Sequence, residues 1–501
     1  MSENLTARFT ALTEDVLIYI ISFLQPPEIV RLSKTCKTLH ALTSLRIVWT
    51  NACVYHVIAK GYPFPNTPVD DILTPDLVYA TLHGYALAKR WISGIPGARN
   101  IRYISGTSGT FVSEVRFVPG HDDKLLLTIS KTVWSALSIW YMGAADSQKV
   151  CEWSPRGAIF TGFVLNSDPR SAATIAIALH LNEEQFIKIL CLKHDDILGY
   201  SFEELYSADT DMKPITLMGD FLALSNDISQ TAVWNWQNGQ YAILEHPIED
   251  PSVTQLNGCI QVLFAHQSIL VARARSIHLF PFPDLKPSDP DQEPATPYAP
   301  LAQHSFGWVD GESVTICPFL SDHMPANPKA LWQPLSILVR GESDDPWASD
   351  IHFLELYTLE RNHAYFTPDS PDQDHSSSTL PYIFPPRLSN QVACVRGSLR
   401  CKQIILGRFG SAVWIQPRDR FAGGLLADIP SHLVPSSHKQ ESLVVTAFPG
   451  PLNPGIAESV VIGKKMFENE FNTSWTSFDY DEVGGRIALG SSFGRVTILE
   501  L

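Results

Sequence analysis

Near the start of the chain, apolar residues recur every three or four positions, which predicts two short amphipathic helices. The stripe of the first helix is formed by Val16, Leu17, Ile20, Phe23 and Leu24. The stripe of the second helix is formed by Ile29, Leu32, Cys36 and Leu39. Thr13 can cap the first helix, and the pair Pro26-Pro27 separates it from the second, which Glu28 opens. Two helices of this length bury too little apolar surface to be stable alone, so another surface must cover them.

The same residues resemble the F-box family. The family pattern is Leu-Pro-x-Glu, a helix that ends in an aromatic-Leu pair, a proline turn, a helix with Cys-Lys or Cys-Arg, and a tryptophan. The corresponding positions here are Leu12, Phe23-Leu24, Pro26-Pro27-Glu28, Cys36-Lys37 and Trp49. Thr13 stands where proline is usual, and either residue can begin a helix, threonine as a cap and proline at the first position.

The resemblance implies a protein partner. F-box helices complete their core by packing on the small Skp-type adaptor of a cullin-RING ubiquitin ligase. The first helix is therefore expected to have no partner for its stripe within the chain and to dock on the adaptor, as amphipathic helices do in apolar grooves. The residues expected to contact the adaptor are Leu12, Val16, Leu17, Ile20, Leu24, Pro26, Pro27, Glu28 and Leu32. The alternative is a helical hairpin that packs on the rest of its own chain.

The pattern changes near residue 100. Helical spacing continues to about Pro96, and the stretch GIPGARN, with its glycines and proline, then marks a boundary. Beyond it, short runs rich in Val, Ile, Phe and Trp alternate with Gly, Asp, Asn and Ser, which is typical of strands. We expect three regions, an F-box at 8–52, a helical linker at 53–96 and an all-β domain at 97–501, with the linker separating the other two.

The β region repeats a triplet of strands. Seven units can be found, the first four spaced by roughly 45 to 50 residues, which is the scale of a propeller blade. VWNWQNGQ and LSIWYM resemble the third strand of WD repeats, and SAVWIQP and RVTILEL are assigned as the third strands of units six and seven. The predicted fold class is therefore α+β multidomain, a small all-α F-box and linker followed by an all-β, WD-like propeller of seven blades. A β-sandwich or a set of stacked small domains is the alternative.

The ends of the β region predict how the ring closes. The printed sequence stops at Leu501, directly after a third strand, so the last blade needs an outer strand from elsewhere. The stretch ARNIRYISG, residues 98–106, can supply it and would cover two exposed edges at once. Ranges rich in Pro, Ser, Asp and Gln predict solvated insertions at 284–303, 365–389 and 419–472.

Charge and cysteine usage exclude several classes of function. With 52 acidic and 37 basic residues the net charge is −15, which argues against nucleic acid or an anionic membrane as a partner. The 8 cysteines are scattered, without a C-x-x-C pair or a histidine at zinc-ligand spacing, so we expect reduced thiols, no metal and no cofactor. The start of the sequence has no signal peptide, and no run of about 18 apolar residues occurs. These features predict a soluble protein of the cytoplasm, the nucleus or both.

No catalytic residue is predicted. Gly490–Gly494, with Ser492, fits the G-x-S-x-G nucleophile elbow, but a tight hairpin between the last two strands explains the same residues. One basic stretch stands out in the acidic chain, and its Arg396, Arg400, Lys402 and Arg408 are candidate substrate contacts, because arginine forks suit carboxylate and phosphate. The alternative is that these residues are solvated or form salt bridges between blades.

The sequence therefore predicts a non-catalytic adaptor. The F-box would bind the Skp-type adaptor and, through it, cullin, and the propeller would bind an unknown protein that is to be ubiquitinated. Two alternatives remain, an F-box and propeller scaffold that works outside a ligase and, less favoured, a propeller hydrolase.

Overall fold

The computed structural model contains an N-terminal group of helices and a ring of strands. Among the described residues the α-helices are α1 (Glu14–Ile21), α2 (Pro26–Ser33), α3 (Lys37–Thr43), α4 (Arg46–His56) and α5 (Thr74–Ser93). In that part of the chain, no helix is long and apolar enough to cross a membrane. The structure describes residues 12–94, 97–105, 110–120, 124–143, 147–195, 197, 199–245, 257–265, 267–287, 297–306, 314–318, 333–341, 351–365, 380–395, 397, 399–417, 441–454, 461–471 and 473–501.

The starts and ends of the first helices follow from local chemistry. Thr13 occupies the predicted cap position and has the extended backbone of a cap residue, but its side chain makes no capping hydrogen bond. At α2 the backbone N–H of Gln25 donates to Glu28 Oε2 at 2.8 Å, half of a capping box, and proline fills the first helical position. The second predicted helix is in fact two, α2 and α3. It breaks because the hydroxyls of Ser33 and Thr35 donate back to backbone carbonyls, which competes with helix continuation.

The strands form seven antiparallel sheets arranged as propeller blades, which confirms the predicted architecture. Blade 1 contains β2 (Phe111–Phe117), β3 (Leu125–Lys131), β4 (Ser135–Met142) and β5 (Ser147–Trp153). Blade 2 contains β6 (Ile159–Leu165), β7 (Ile175–Leu181), β8 (Glu184–Asp195) and β9 (Gly199–Asp209). Blade 3 contains β10 (Lys213–Met218), β11 (Phe221–Ser225), β12 (Thr231–Asn235), β13 (Gln240–Leu244) and β17 (Lys286–Pro287). Blade 4 contains β14 (Cys259–Ala265), β15 (Ser268–Arg273), β16 (Ser276–Pro281) and β18 (Ala302–Ser305). Blade 5 contains β19 (Val314–Pro318), β20 (Leu335–Arg340), β21 (Ile351–Leu359) and β22 (Arg387–Val395). Blade 6 contains β23 (Ile404–Leu406), β24 (Ser411–Gln416), β25 (Ser442–Ala447) and β26 (Lys464–Glu468). Blade 7 contains β27 (Trp475–Asp481), β28 (Arg486–Ser491), β29 (Arg495–Glu500) and β1 (Asn100–Ser105).

The ring closes through the strand that precedes blade 1. β1 pairs antiparallel with β29, from Asn100 opposite Glu500 to Ser105 opposite Arg495. The pairing is extended by the Arg99 N–H, which donates to the Glu500 carbonyl at 2.7 Å. The predicted closure is confirmed, and its physical reason is that β1 satisfies the backbone edge that β29 would otherwise expose.

Blade 6 corrects the sequence prediction. The stretch SAVWIQP contains β24, which is the second strand of its blade rather than the third. The third and fourth strands, β25 and β26, lie inside the range 419–472 that the sequence predicts as a solvated insertion. β25 is buried along its whole length, and Tyr382, inside the predicted insertion 365–389, is buried in the core shared by blades 4 and 5. The residues around β25 and Tyr382 are polar in composition. The sequence pattern therefore predicted solvated insertions and did not indicate that these segments are buried.

The N-terminal helices pack directly on blades 6 and 7. One hydrophobic core joins residues of α1, α2, α4 and α5 to residues of β24, β25, β28 and β29, among them Leu17, Ile21, Ile29, Trp49, Leu77, Leu87, Val413, Leu443, Leu489 and Leu499. Where α5 meets blade 7, a Cβ on Gly485 would lie 3.1 Å from a methyl group of Leu87, so the glycine allows the close approach. The expectations that the helix stripe has no partner in the chain and that a linker separates the helices from the propeller are therefore wrong.

Candidate functional site

One face of α1 is apolar and exposed. It is formed by Val16 and Tyr19 of α1, with Leu12 just before the helix and Phe23 just after it. These residues follow one another at helical spacing in the sequence, and we call this set the α1 outer face. Tyr19 and Phe23 are each 66% exposed, and their rings meet edge to face with centroids 5.0 Å apart. Several large apolar side chains exposed to water near one another in the sequence, two of them in contact, are typical of a protein-binding surface.

The opposite face of α1 is buried in the chain's own core. Leu17 and Ile21 lie there, together with Pro26 at the start of α2. Of the residues predicted to contact the adaptor, the structure exposes Leu12, Val16, Pro27 and Glu28, half-buries Ile20, Leu24 and Leu32, and buries Leu17 and Pro26. Tyr19 and Phe23 were left out of that prediction. Their spacing from Val16, three and seven positions along the helix, is the signal that could have identified this second stripe.

Polar contacts behind the α1 outer face hold it in place. The Tyr85 hydroxyl of α5 donates to Gln25 Oε1 in the α1–α2 turn. His56 Nε2 of α4 lies 3.1 Å from the Ser22 carbonyl at the end of α1. The Trp49 indole of α4 donates to the Thr43 carbonyl at 2.8 Å and joins α4 to α3. The outer face is therefore preorganised by the helices packed beneath it, which lowers the ordering cost of binding.

The candidate substrate contacts that the structure describes do not form one patch. Arg396 lies outside the described residues, and Arg400 is exposed ahead of β23. Lys402 also precedes β23, and its backbone carbonyl accepts from Arg340 Nη1 at 2.9 Å. Arg408 follows β23, at the other end of the strand, so the structure separates Arg408 from Arg400 and Lys402.

Arg408 belongs to the surroundings of a buried carboxyl group. Burial lowers the pKa of Arg408, and the nearby Glu482 acts against that change. Burial likewise raises the pKa of Glu482 from 4.5 to about 7, opposed by hydrogen bonds from the N–H groups of Phe409 and Ser411 at 3.0 and 3.2 Å. These bonds join the β27–β28 connection of blade 7 to the β23–β24 turn of blade 6. Glu482 is therefore a structural link between two blades.

The motif that fits a nucleophile elbow has a structural explanation. Ser492 lies in the turn between β28 and β29, which pair next to it through Gly490 and Val496, so the predicted hairpin is confirmed. Within the described ranges, no group of three or more His, Cys, Asp and Glu side chains is placed to hold a metal ion.

Comparison with known proteins identifies the N-terminal region. Residues 14–55 match the F-box-like family, and this range runs from the start of α1 almost to the end of α4. No curated protein matches the chain. An F-box-like domain followed by a seven-bladed propeller is the architecture of an F-box/propeller protein.

Proposed function

We propose that this chain is a substrate-recognition adaptor of an SCF-type ubiquitin ligase. The α1 outer face binds a Skp-type adaptor, the adaptor joins the chain to cullin, and the propeller binds the protein to be ubiquitinated. The observation that supports this proposal is that the F-box-like domain at residues 14–55 leaves an apolar face exposed although its other face is already packed. F-box domains generally bind Skp-type adaptors, and an exposed apolar helix face fits a groove in a helical partner.

Two aromatic residues dominate the expected interface. Tyr19 and Phe23 are the most exposed members of the α1 outer face, and large aromatic side chains are common binding hot spots. Truncating one hot-spot residue costs about 2 kcal/mol or more. Removing both rings should therefore weaken adaptor capture by at least roughly a hundredfold, because each 1.4 kcal/mol is tenfold in affinity.

The test is capture of partners from native extract with the full chain. We expect the wild-type chain to retain a Skp-type adaptor and cullin, and the double variant Tyr19→Ala, Phe23→Ala to retain neither. Tyr79→Ala is the matched control, because Tyr79 is an exposed ring on α5, outside the matched residues 14–55. Leu17→Ala is not a clean test, since Leu17 is part of the chain's own core.

The outcomes separate the alternatives. Adaptor capture by the double variant at the wild-type level would refute the α1 outer face as the docking site. Capture of the adaptor without cullin would favour a scaffold that works outside a ligase. Melting curves of all three chains should agree closely, which shows that lost capture does not come from unfolding.

A further inference from the structure

One arginine of blade 7 lies in the corner between two aromatic rings that are perpendicular to each other. The Cζ atom of Arg495, the first residue of β29, lies 3.8 Å from the ring centroid of Phe471 and 5.6 Å from that of Tyr103. The two rings are themselves edge to face, with centroids 6.2 Å apart. The close cation–π contact with Phe471 restrains the guanidinium, and the N–H groups at its edge can still act as donors.

Arg495 forms no salt bridge within the described part of the chain. Several other propeller arginines there have acidic partners, as in the pairs Arg102–Glu500, Arg116–Glu114 and Arg486–Asp481. No such pair is formed by Arg495 with any described residue, although the chain carries a net charge of −15. An arginine that is restrained by cation–π contacts and forms no salt bridge is suited to a carboxylate from outside, which it can bind through two parallel hydrogen bonds.

The surroundings of Arg495 add apolar surface. Phe493, in the turn just before β29, is 63% exposed, and Tyr103 is also exposed. Arginine and aromatic residues are enriched at protein interfaces, and here they occur together at one end of blade 7. This combination fits an extended peptide segment in which an acidic residue is flanked by apolar residues.

The location leaves this surface open when the helices are engaged. Arg495 begins β29, whereas Leu501, just after the other end of the strand, belongs to the core that the helices share with blade 7. A strand rises about 3.3 Å per residue, so roughly 20 Å separates the two ends. A ligand at Arg495 and an adaptor on α1 would therefore not compete.

We propose that Arg495, Tyr103, Phe471 and Phe493 form a binding site for an acidic, apolar-flanked peptide segment. This inference deepens the proposed function and rests on it, because the segment would belong to the protein that is recognised for ubiquitination. The carboxylate would pair with the edge of the Arg495 guanidinium, and the flanking apolar side chains would contact Phe493 and Tyr103.

The test uses an immobilised set of ten-residue peptides and the full chain. In the first group Asp or Glu alternates with Leu or Phe, in the second Asn or Gln replaces each acid, and in the third phosphoserine replaces it. We expect wild-type chain to prefer the first group, and Arg495→Gln to reduce that binding about tenfold or more, which corresponds to one lost pair of about 1.4 kcal/mol. Binding should also weaken in high salt, since salt screens charge pairs.

Arg156→Gln removes an exposed arginine from another blade connection at the same end of the ring and should leave binding unchanged. Equal binding of acidic and amide peptides, or an unaffected Arg495→Gln variant, would overturn the site, and preference for phosphoserine peptides would overturn the carboxylate assignment. Capture of the Skp-type adaptor is measured in parallel. If it fails for the wild-type chain while peptide binding depends on Arg495, the proposed function falls and the peptide site stands.

Discussion

Closure of the ring by β1 can be tested with one buried side chain. Ile104 of β1 is 3% exposed and packs in a small core with residues of blades 1 and 7, including Val112 and Val496. Replacing a buried isoleucine with alanine costs about 2 to 5 kcal/mol, because transfer free energy is lost and a cavity remains. The neighbours of Ile104 lie on paired strands and can collapse only partly, so we expect a loss of about 3 kcal/mol for Ile104→Ala.

The same strand supplies the control. Ile101 is 38% exposed and pairs with Leu499, so Ile101→Ala removes an identical group from β1 without opening a core cavity. Thermal unfolding is followed by fluorescence for both variants. We expect the midpoint of Ile104→Ala to fall by roughly 5 °C and that of Ile101→Ala to change little, since 1 kcal/mol corresponds to at most a few degrees in a large domain.

Equal midpoints for the two variants would refute the reasoning that β1 closes the last blade. A second measurement tests whether the lower unfolding midpoint comes from a weakened closure of the ring. A weakened closure exposes the edge of β29, so Ile104→Ala should also aggregate faster as protein concentration rises, whereas Ile101→Ala should not.

Two further predictions concern the contacts between parts of the chain. Leu87→Ala should increase amide hydrogen exchange both in α5 and near Gly485, because the two share one core, and an effect confined to α5 would contradict the shared core. Glu482 has a raised pKa in the folded chain, so its contribution to stability is complete below about 4.5 and is lost as pH rises through about 7. At about 1.4 kcal/mol per pKa unit the loss can reach about 3 kcal/mol, and Glu482→Gln should flatten the decline of the unfolding free energy between pH 5 and pH 8. A decline as steep as in the wild type would exclude Glu482 as its source.

Several features of the fold are determined by local sequence. The spacing of apolar residues in α1 and α5 predicts helices, and the short apolar runs after residue 100 predict strands, because both patterns follow from backbone geometry. The pairing of β1 with β29 was also predictable, since an unpaired last strand would leave a hydrogen-bonding edge exposed. The resemblance to the F-box rested on residues that lie close together in the sequence, and the matched range 14–55 agrees with it.

The tertiary structure alone decided which side of α1 faces inward. Leu17 and Ile21 on one side, and Val16, Tyr19 and Phe23 on the other, are both compatible with helical spacing. The rotation of the helix is set by α4, α5 and blades 6 and 7, which are distant in sequence.

The position of a strand in its blade and the contacts of Arg495 also depend on the tertiary structure. The sequence predicts β24 as a third strand, whereas its pairing with β25 shows that it is the second. Local sequence does not determine the order of strands in a blade. Arg495 contacts Tyr103 because β29 pairs with β1, which lies almost 400 positions earlier. It contacts Phe471 because the connection into β27 passes over the same end of the blade. Periodicity reports which element forms, whereas the partners of its two faces depend on long-range packing that no local pattern encodes.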